Sequence, residues 1–212
     1  MQRQYLASAA LHGKFFIDEG DDMTHLEKRK KRPDRRCTVN TMEESLALLY
    51  REFGMTVTHG TGLWYMDLTR GTFRDPQLVD AVGRMRKWAE VALRHDRSHH
   101  SEVAVVSQPQ SGFYTGQGGP FVGTVTQQLY VKLRAIYKAA GVHVYTDSDV
   151  VLSANSAWLM LHTREAGDYK IALPCTARKI TEITTEKPVA ENADRFTWKL
   201  PKHSTAVFLL EH

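Results

Sequence analysis

The apolar residues of the chain follow two different spacings, and this difference constrains the fold more than any other feature of the sequence. Up to about residue 95, short apolar runs alternate with stretches in which apolar residues recur at helical spacing. From about residue 150 onward, only short β-rich runs remain, separated by glycine and proline. The first pattern predicts parallel strands covered by helices, and the second predicts antiparallel strands.

Two strands are predicted in the first part of the chain. The first covers residues 11–19, where a continuous apolar run is bounded by Gly13 and Gly20 and suits a strand buried on both faces. The second is the apolar run of residues 63–66, which ends on Asp67. Both strands therefore end in acidic residues.

A helix is predicted after each of these strands. Thr41 and Glu44 have the spacing of a capping box, and Gly54 is placed as a C-terminal stop. Asp75 and Pro76 open the second helix as its cap and its first helical residue. The order strand, helix, strand, helix predicts parallel strands.

The middle of the chain predicts a small β-α-β unit. Residues 101–107 form a buried strand, residues 109–123 are a glycine-rich connection, and a helix around residues 129–137 is followed by a strand at 142–145. The remaining residues predict an antiparallel β-sandwich. We therefore expect an α/β plus all-β chain in three parts, which cover residues 1–97, 98–149 and 150–212.

Composition and charge narrow the class of protein. The 212 residues are 42% hydrophobic and 25% charged, which is typical of a globular protein. The formal charge of +4 comes largely from residues 27–36. That basic run lacks interleaved aromatic residues, so a solvated loop is favoured over a nucleic-acid site. No apolar run approaches the length of a membrane span, and two distant cysteines fit a reducing compartment, so we expect a cytoplasmic protein.

The acidic residues that follow the two strands are the first candidates for chemistry. In parallel βα architectures functional groups lie at the carboxyl ends of strands, and Glu19, Asp18 and Asp67 occupy that position. A glycosidase needs two carboxyl groups beside the sugar, and Trp64 is suited to stacking on a sugar ring. The pattern alone favours a plainer interpretation, in which DEGDD is a solvated turn and Asp67 is a helix or loop cap.

Longer motifs resemble one family. The stretches GKFFIDE and EESLALLYREFGMTVTHGTGLWYMDL resemble the last two βα units of the catalytic barrel in the family-42 type of glycoside hydrolase, the β-galactosidases with a trimerisation domain. SEVAVVSQPQSGFY and LRAIYKAAGVHVYTDSD resemble the start and an early part of the trimerisation domain. NSAWLMLHTREAGDYKIALP through KLPKHSTAVFLLE resembles the closing β-sandwich. The resemblance covers nearly the whole chain.

The resemblance implies a function, and it also implies that part of the catalytic machinery is missing from this chain. It places the catalytic nucleophile at Glu19, and Trp64 and Asp67 on the strand that lines the sugar site. The family's acid/base glutamate follows an asparagine on an earlier strand, and no Asn-Glu pair occurs in this sequence. The earlier six βα units would precede Met1. Because retaining hydrolysis needs both carboxyl groups, this single chain is expected to be incomplete as an enzyme.

Two functions therefore remain open from the sequence. One is the C-terminal portion of a β-galactosidase, completed by an upstream-encoded chain. The other is a non-catalytic remnant that forms homo-oligomers or binds carbohydrate, since an incomplete barrel exposes strand edges.

Other motifs are weaker candidates for a site. The DEGDD run lacks the spacing of a calcium loop, and the histidines of RHDRSHH fit a polar helix exit better than a metal site. GQGG lacks the residues of a phosphate loop, and Cys37 has no nearby histidine in the sequence. We expect no cofactor, no metal and no nucleic acid.

Overall fold

The computed structural model describes residues 6, 10, 12–20, 23–26, 39–67, 71–98 and 127–212, with the backbone alone for residues 127–132. The helices are α1 (Met42–His59), α2 (Pro76–Ala92) and α3 (Gln127–Ala139). The strands are β1 (Ile17–Gly20), β2 (Gly62–Tyr65), β3 (Val150–Ala154), β4 (Trp158–Thr163), β5 (Gly167–Glu182), β6 (Lys187–Leu200) and β7 (Thr205–Glu211).

The first part of the described chain is a β-α-β unit. Strands β1 and β2 pair in parallel, with Ile17 opposite Gly62 and Gly20 opposite Tyr65, and α1 connects them. The parallel arrangement predicted from the sequence is therefore present. Two parallel strands are too few to define a barrel, so the barrel stays a prediction.

Helix α1 begins where the sequence predicts and ends later. The Thr41 hydroxyl accepts a hydrogen bond from the Glu44 amide at 3.1 Å, and the Glu44 carboxylate accepts one from the Asn40 amide at 2.7 Å. The first bond satisfies an amide that the first turn of a helix leaves unpaired, and the second ties the helix to the residue before its cap. The predicted stop at Gly54 is wrong, because α1 continues to His59 and ends at Gly60, which has a left-handed φ of 68°.

Gly54 has a packing role instead. It lies on the buried side of α1, where a Cβ atom would be 2.8 Å from Met160 Cβ and 3.1 Å from Val207 Cγ2. Ordinary carbon contacts are about 3.5–4.0 Å. The missing side chain therefore allows α1 to lie directly on strands β4 and β7.

Helix α2 begins as predicted. The Asp75 carboxylate accepts a hydrogen bond from the Gln77 amide at 2.8 Å, and Pro76 is the first helical residue. Its buried residues, among them Leu78 and Met85, join the same core as α1.

The last part of the chain is a five-stranded antiparallel sheet with the strand order β3-β4-β7-β5-β6. The sequence predicts a sandwich of two sheets in this part of the chain, whereas strands β3 to β7 form one hydrogen-bonded sheet. The reason lies in β5, which joins two predicted strands across Pro174. The register of β5 and β6 shifts between Ala172 and Ala177, which accommodates a residue that has no amide donor.

Both faces of β4 are buried. Trp158 and Met160 pack against α1 and α2 on one face, and Leu159 and Leu161 pack on the other with β5 and β6. This explains why β4 is a nearly continuous apolar run instead of an alternating one. Helices α1 and α2 thus share one core with the C-terminal sheet.

The middle of the chain is described only in part. The predicted strand at 101–107 and the glycine-rich connection at 109–123 lie outside the described residues. The predicted helix is present as α3, and Gly141 follows it with a φ of 75°. The predicted strand at 142–145 is wrong, since this segment is irregular. It contacts β5 through a backbone bond from the Ala172 amide to the Tyr145 carbonyl and through His143 Nε2, which lies 2.9 Å from the Ala172 carbonyl. The boundaries of the three parts stay a prediction.

In the part of the chain that the structure describes, no helix is long and apolar enough to cross a membrane.

A candidate site on the open face of the parallel strands

The register of the two parallel strands brings the predicted nucleophile and the predicted aromatic residue together. Glu19 in β1 is the direct partner of Trp64 in β2. Both side chains are exposed, with 47% of Trp64 accessible to solvent. Direct partners project to the same face of a sheet. The sequence predicts these two residues in one sugar site, and the fold makes them neighbours.

Apolar side chains extend this face. Phe15 and Ile17 are 72% and 57% exposed, and both lie beside Gly62, where a Cβ atom would be 3.1 Å from the Phe15 ring. We call the surface formed by Phe15, Ile17, Glu19 and Trp64 the open face. The sequence predicts this run to be buried on both sides, so its exposure is a difference from the prediction.

The opposite face of the same strands is covered by helices. The Tyr65 hydroxyl donates to the Leu49 carbonyl of α1 at 3.1 Å, and its ring packs on Phe73. Asp18 is only 4% exposed. Because Asp18 and Glu19 are consecutive in a strand, their side chains point to opposite faces. Of this acidic pair, only Glu19 belongs to the open face.

Asp67 organises the loop after β2. One carboxylate oxygen accepts a hydrogen bond from the Gly71 amide at 2.7 Å, and the other accepts one from the Thr72 amide at 3.3 Å. These bonds are those of a loop cap, which is one of the roles that the sequence allows for Asp67. A contact of Asp67 with carbohydrate stays a prediction.

The loops that follow the two strands are joined to each other and to α1. The Thr24 hydroxyl donates to the Thr72 carbonyl at 2.5 Å, which connects the loop after β1 with the loop after β2. The His25 amide donates to the Ser45 hydroxyl at 2.9 Å. These bonds hold a defined edge at the carboxyl ends of the strands. Asp21 and Asp22 lie outside the described residues.

The open face has the chemistry of a surface for a hydroxylated ring. Trp64 and Phe15 offer apolar aromatic area, and the Glu19 carboxylate accepts hydrogen bonds from hydroxyl groups. Among residues 12–20, 39–67, 71–98 and the other described ranges, no group of three metal-ligating side chains occurs. A second carboxyl group for retaining hydrolysis is not supplied by Asp18, which is buried on the other face, or by Asp67, which caps a loop.

Comparisons with known proteins bear on the fold. No protein-family model and no curated protein matches the chain. A solved structure that does match is a GH27 β-L-arabinopyranosidase from Geobacillus stearothermophilus, in complex with arabinose, at a TM-score of 0.50 and 10% identity. The match covers 99% of this chain and 40% of the enzyme, so the chain spans well under half the length of that protein. At this identity the likeness concerns the fold alone: the chain folds like a part of a glycoside hydrolase.

Proposed function

We propose that the chain is the C-terminal portion of a retaining glycoside hydrolase of the β-galactosidase type, with Glu19 as its nucleophile. The observation that carries the proposal is the pairing of Glu19 with Trp64 on the open face, in a chain whose fold is like part of a glycoside hydrolase. The sequence motifs that resemble the family-42 enzymes support the β-galactosidase type.

The chemistry requires a second polypeptide segment. In retaining hydrolysis, one carboxylate attacks the anomeric carbon while a second carboxylic acid, about 5–5.5 Å away, protonates the leaving oxygen. Glu19 fits the first role, since it is exposed beside an aromatic residue. Further βα units would supply the acid and would cover the open face, because parallel strands are normally buried on both faces.

The test is hydrolysis of nitrophenyl β-galactoside by the purified chain, alone and together with the polypeptide encoded immediately upstream. We expect activity only in the pair. Glu19→Gln should reduce the rate on the order of a thousandfold or more, because a neutral amide is not a nucleophile. Glu90→Gln, an exposed glutamate on α2 that pairs with Arg86, is the matched control and should keep full activity. A folded, inactive pair, or an active Glu19→Gln variant, would refute the catalytic proposal.

A second function is favoured by the open face itself. Three exposed apolar side chains, Phe15, Ile17 and Trp64, lie together on a sheet whose outer edges pair with none of the described residues. Such surfaces mark sites of association or ligand binding. The chain alone would then form homo-oligomers or bind saccharide without catalysis. Light scattering tests this function, because it measures the oligomeric state. Ile17→Lys should convert an oligomer to a monomer. Val79→Lys, at an exposed position of α2 outside the open face, should not. A wild-type monomer that binds no saccharide would exclude it.

A further inference from the structure

A cleft at the end of strands β3 and β4 carries a polar group that the proposed glycosidase does not use. The cleft has a volume of about 600 Å³ and is lined by residues of α3, the first half of β3, the end of β4 and the turn before β7. His162 of β4 lines it, opposite Val151 of β3. It is a different region from the open face, whose residues do not line it.

A chain of hydrogen bonds fixes which nitrogen of His162 carries the proton. The Thr205 hydroxyl donates its single hydrogen to the Ala47 carbonyl at 2.6 Å. The same hydroxyl oxygen lies 2.9 Å from His162 Nδ1, so it acts there as the acceptor and Nδ1 carries the hydrogen. In the neutral ring Nε2 is then an acceptor. Within the described part of the chain, Nε2 has no hydrogen-bond partner, so its lone pair is available to the cleft.

The surroundings of His162 keep the ring neutral. The pKa of His162 is lowered to about 4, mainly by burial of the ring and also, in the same direction, by the charges of Arg51 and His203. At neutral pH the ring therefore presents an acceptor and not a donor. A ligand group that contacts it must bring a hydrogen of its own, as a hydroxyl does.

Two arginines and one acidic residue are among the side chains that line the cleft. Arg134 and Arg164 line it, and Asp149 is the acidic residue among its lining side chains. The Arg134 guanidinium donates to the Asp147 and Ser148 carbonyls at 2.6 and 3.2 Å, which fixes its position. His203 also lines the cleft. Guanidinium groups favour carboxylate and phosphate oxygens.

We propose that this cleft binds a small hydroxylated anion, such as a sugar acid or a sugar phosphate, with a ligand hydroxyl donating to His162 Nε2 and the anionic group beside Arg134 and Arg164. A metal ion is disfavoured here, because the His162 imidazole shares the cleft with the cationic side chains of Arg134 and Arg164. The proposal does not depend on Glu19 or on hydrolysis.

The experiment is a titration followed by NMR signals of the His162 side chain, with glucuronate, glucose 6-phosphate and neutral glucose as probes. We expect saturable shifts with the anions and none with glucose. A response to glucuronate alone identifies a carboxylate site, and a response to glucose 6-phosphate alone identifies a phosphate site. Either result supports the proposal.

Two variants and a control make the test specific. His162→Asn keeps a donor to Thr205 but removes Nε2, and it should weaken binding about tenfold, as Arg164→Gln should. Binding in these variants is measured by calorimetry. Arg178→Gln, an exposed arginine that pairs with Glu211 outside the cleft, should bind as the wild type does. Absence of saturation with both anions, equal binding of glucose, or unchanged affinity in both cleft variants would overturn the proposal.

Discussion

The contact of α1 with the C-terminal sheet gives a stability prediction with an internal control. Gly54→Ala adds one carbon at a place where Met160 Cβ is 2.8 Å away, Met160 Cγ is closer still and Val207 Cγ2 is 3.1 Å away. Gly83→Ala in α2 adds the same carbon where no atom lies within 4 Å. Both glycines are inside helices. The two variants share the gain in helix propensity and differ only in packing.

The magnitudes decide the sign of each effect. Replacing an interior helical glycine with alanine stabilises a helix by about 1 kcal/mol. Overpacking a core costs about 1–3 kcal/mol, and here the overlap approaches 1 Å against the Met160 side chain, whose Cβ cannot move without the β4 backbone, so the cost is at or above the upper end. We expect Gly54→Ala to lower the free energy of unfolding by about 2 kcal/mol. Gly83→Ala should raise it by about 1 kcal/mol.

Urea unfolding monitored by circular dichroism measures both values, provided that the two transitions have the same slope with denaturant. The thermal midpoint of Gly54→Ala should fall by about 4–8 °C for a chain of this size. If Gly54→Ala is as stable as the wild type, or if both alanines stabilise equally, α1 does not lie against β4 and β7 as described.

Three further predictions concern buried polar groups. Asn155→Asp should lower the free energy of unfolding by about 3 kcal/mol. The Asn155 side-chain amide donates to the Val57 and Thr58 carbonyls, and a carboxylate would face them without a hydrogen to donate. Asn192→Asp, at an exposed position, is the control, and equal denaturation midpoints of the two variants would contradict the role of Asn155. Glu182→Gln should lower the free energy of unfolding by about 2 kcal/mol. It should also speed hydrogen exchange at the Thr184 and Thr185 amides, since the buried Glu182 carboxylate accepts hydrogen bonds from both. The lowered pKa of His162 means that the unfolded chain binds more protons than the folded chain between about pH 6.5 and about 4, so stability should fall as pH falls through that window. His162→Asn should flatten this fall in urea unfolding, and an unchanged slope would show that the ring is not buried as described.

Local signals in the sequence predicted the parts of the fold that depend on neighbouring residues. The caps at Thr41 and Asp75 are bonds between residues two or three positions apart, so spacing alone reveals them. The pairing of Glu19 with Trp64 was predictable in kind, because parallel strands place their carboxyl ends at one edge. Gly54 was misread because a helix stop and a close helix-sheet contact use the same residue, and only the position of Met160 distinguishes them.

Features that depend on distant residues could not be read from the sequence. Phe15 and Ile17 have the spacing of a buried strand, and their exposure depends on what lies against the strand and not on the strand itself. Pro174 normally separates strands, yet the shifted register of β5 and β6 absorbs it. His162 gains its free nitrogen through Thr205, which is 43 positions away in the sequence, and so no local motif marks it.

Helix α1 connects the candidate site with the C-terminal sheet. Along its length, the Ala47 carbonyl accepts from Thr205, Gly54 contacts Met160, and the Val57 and Thr58 carbonyls accept from Asn155. The Leu49 carbonyl on the same helix accepts from Tyr65 in β2. Strand β2, which carries Trp64, is therefore positioned by a helix that is fixed to the sheet near its start, middle and end. A sheet that holds this helix in place can set the geometry of the open face without contributing a residue to it.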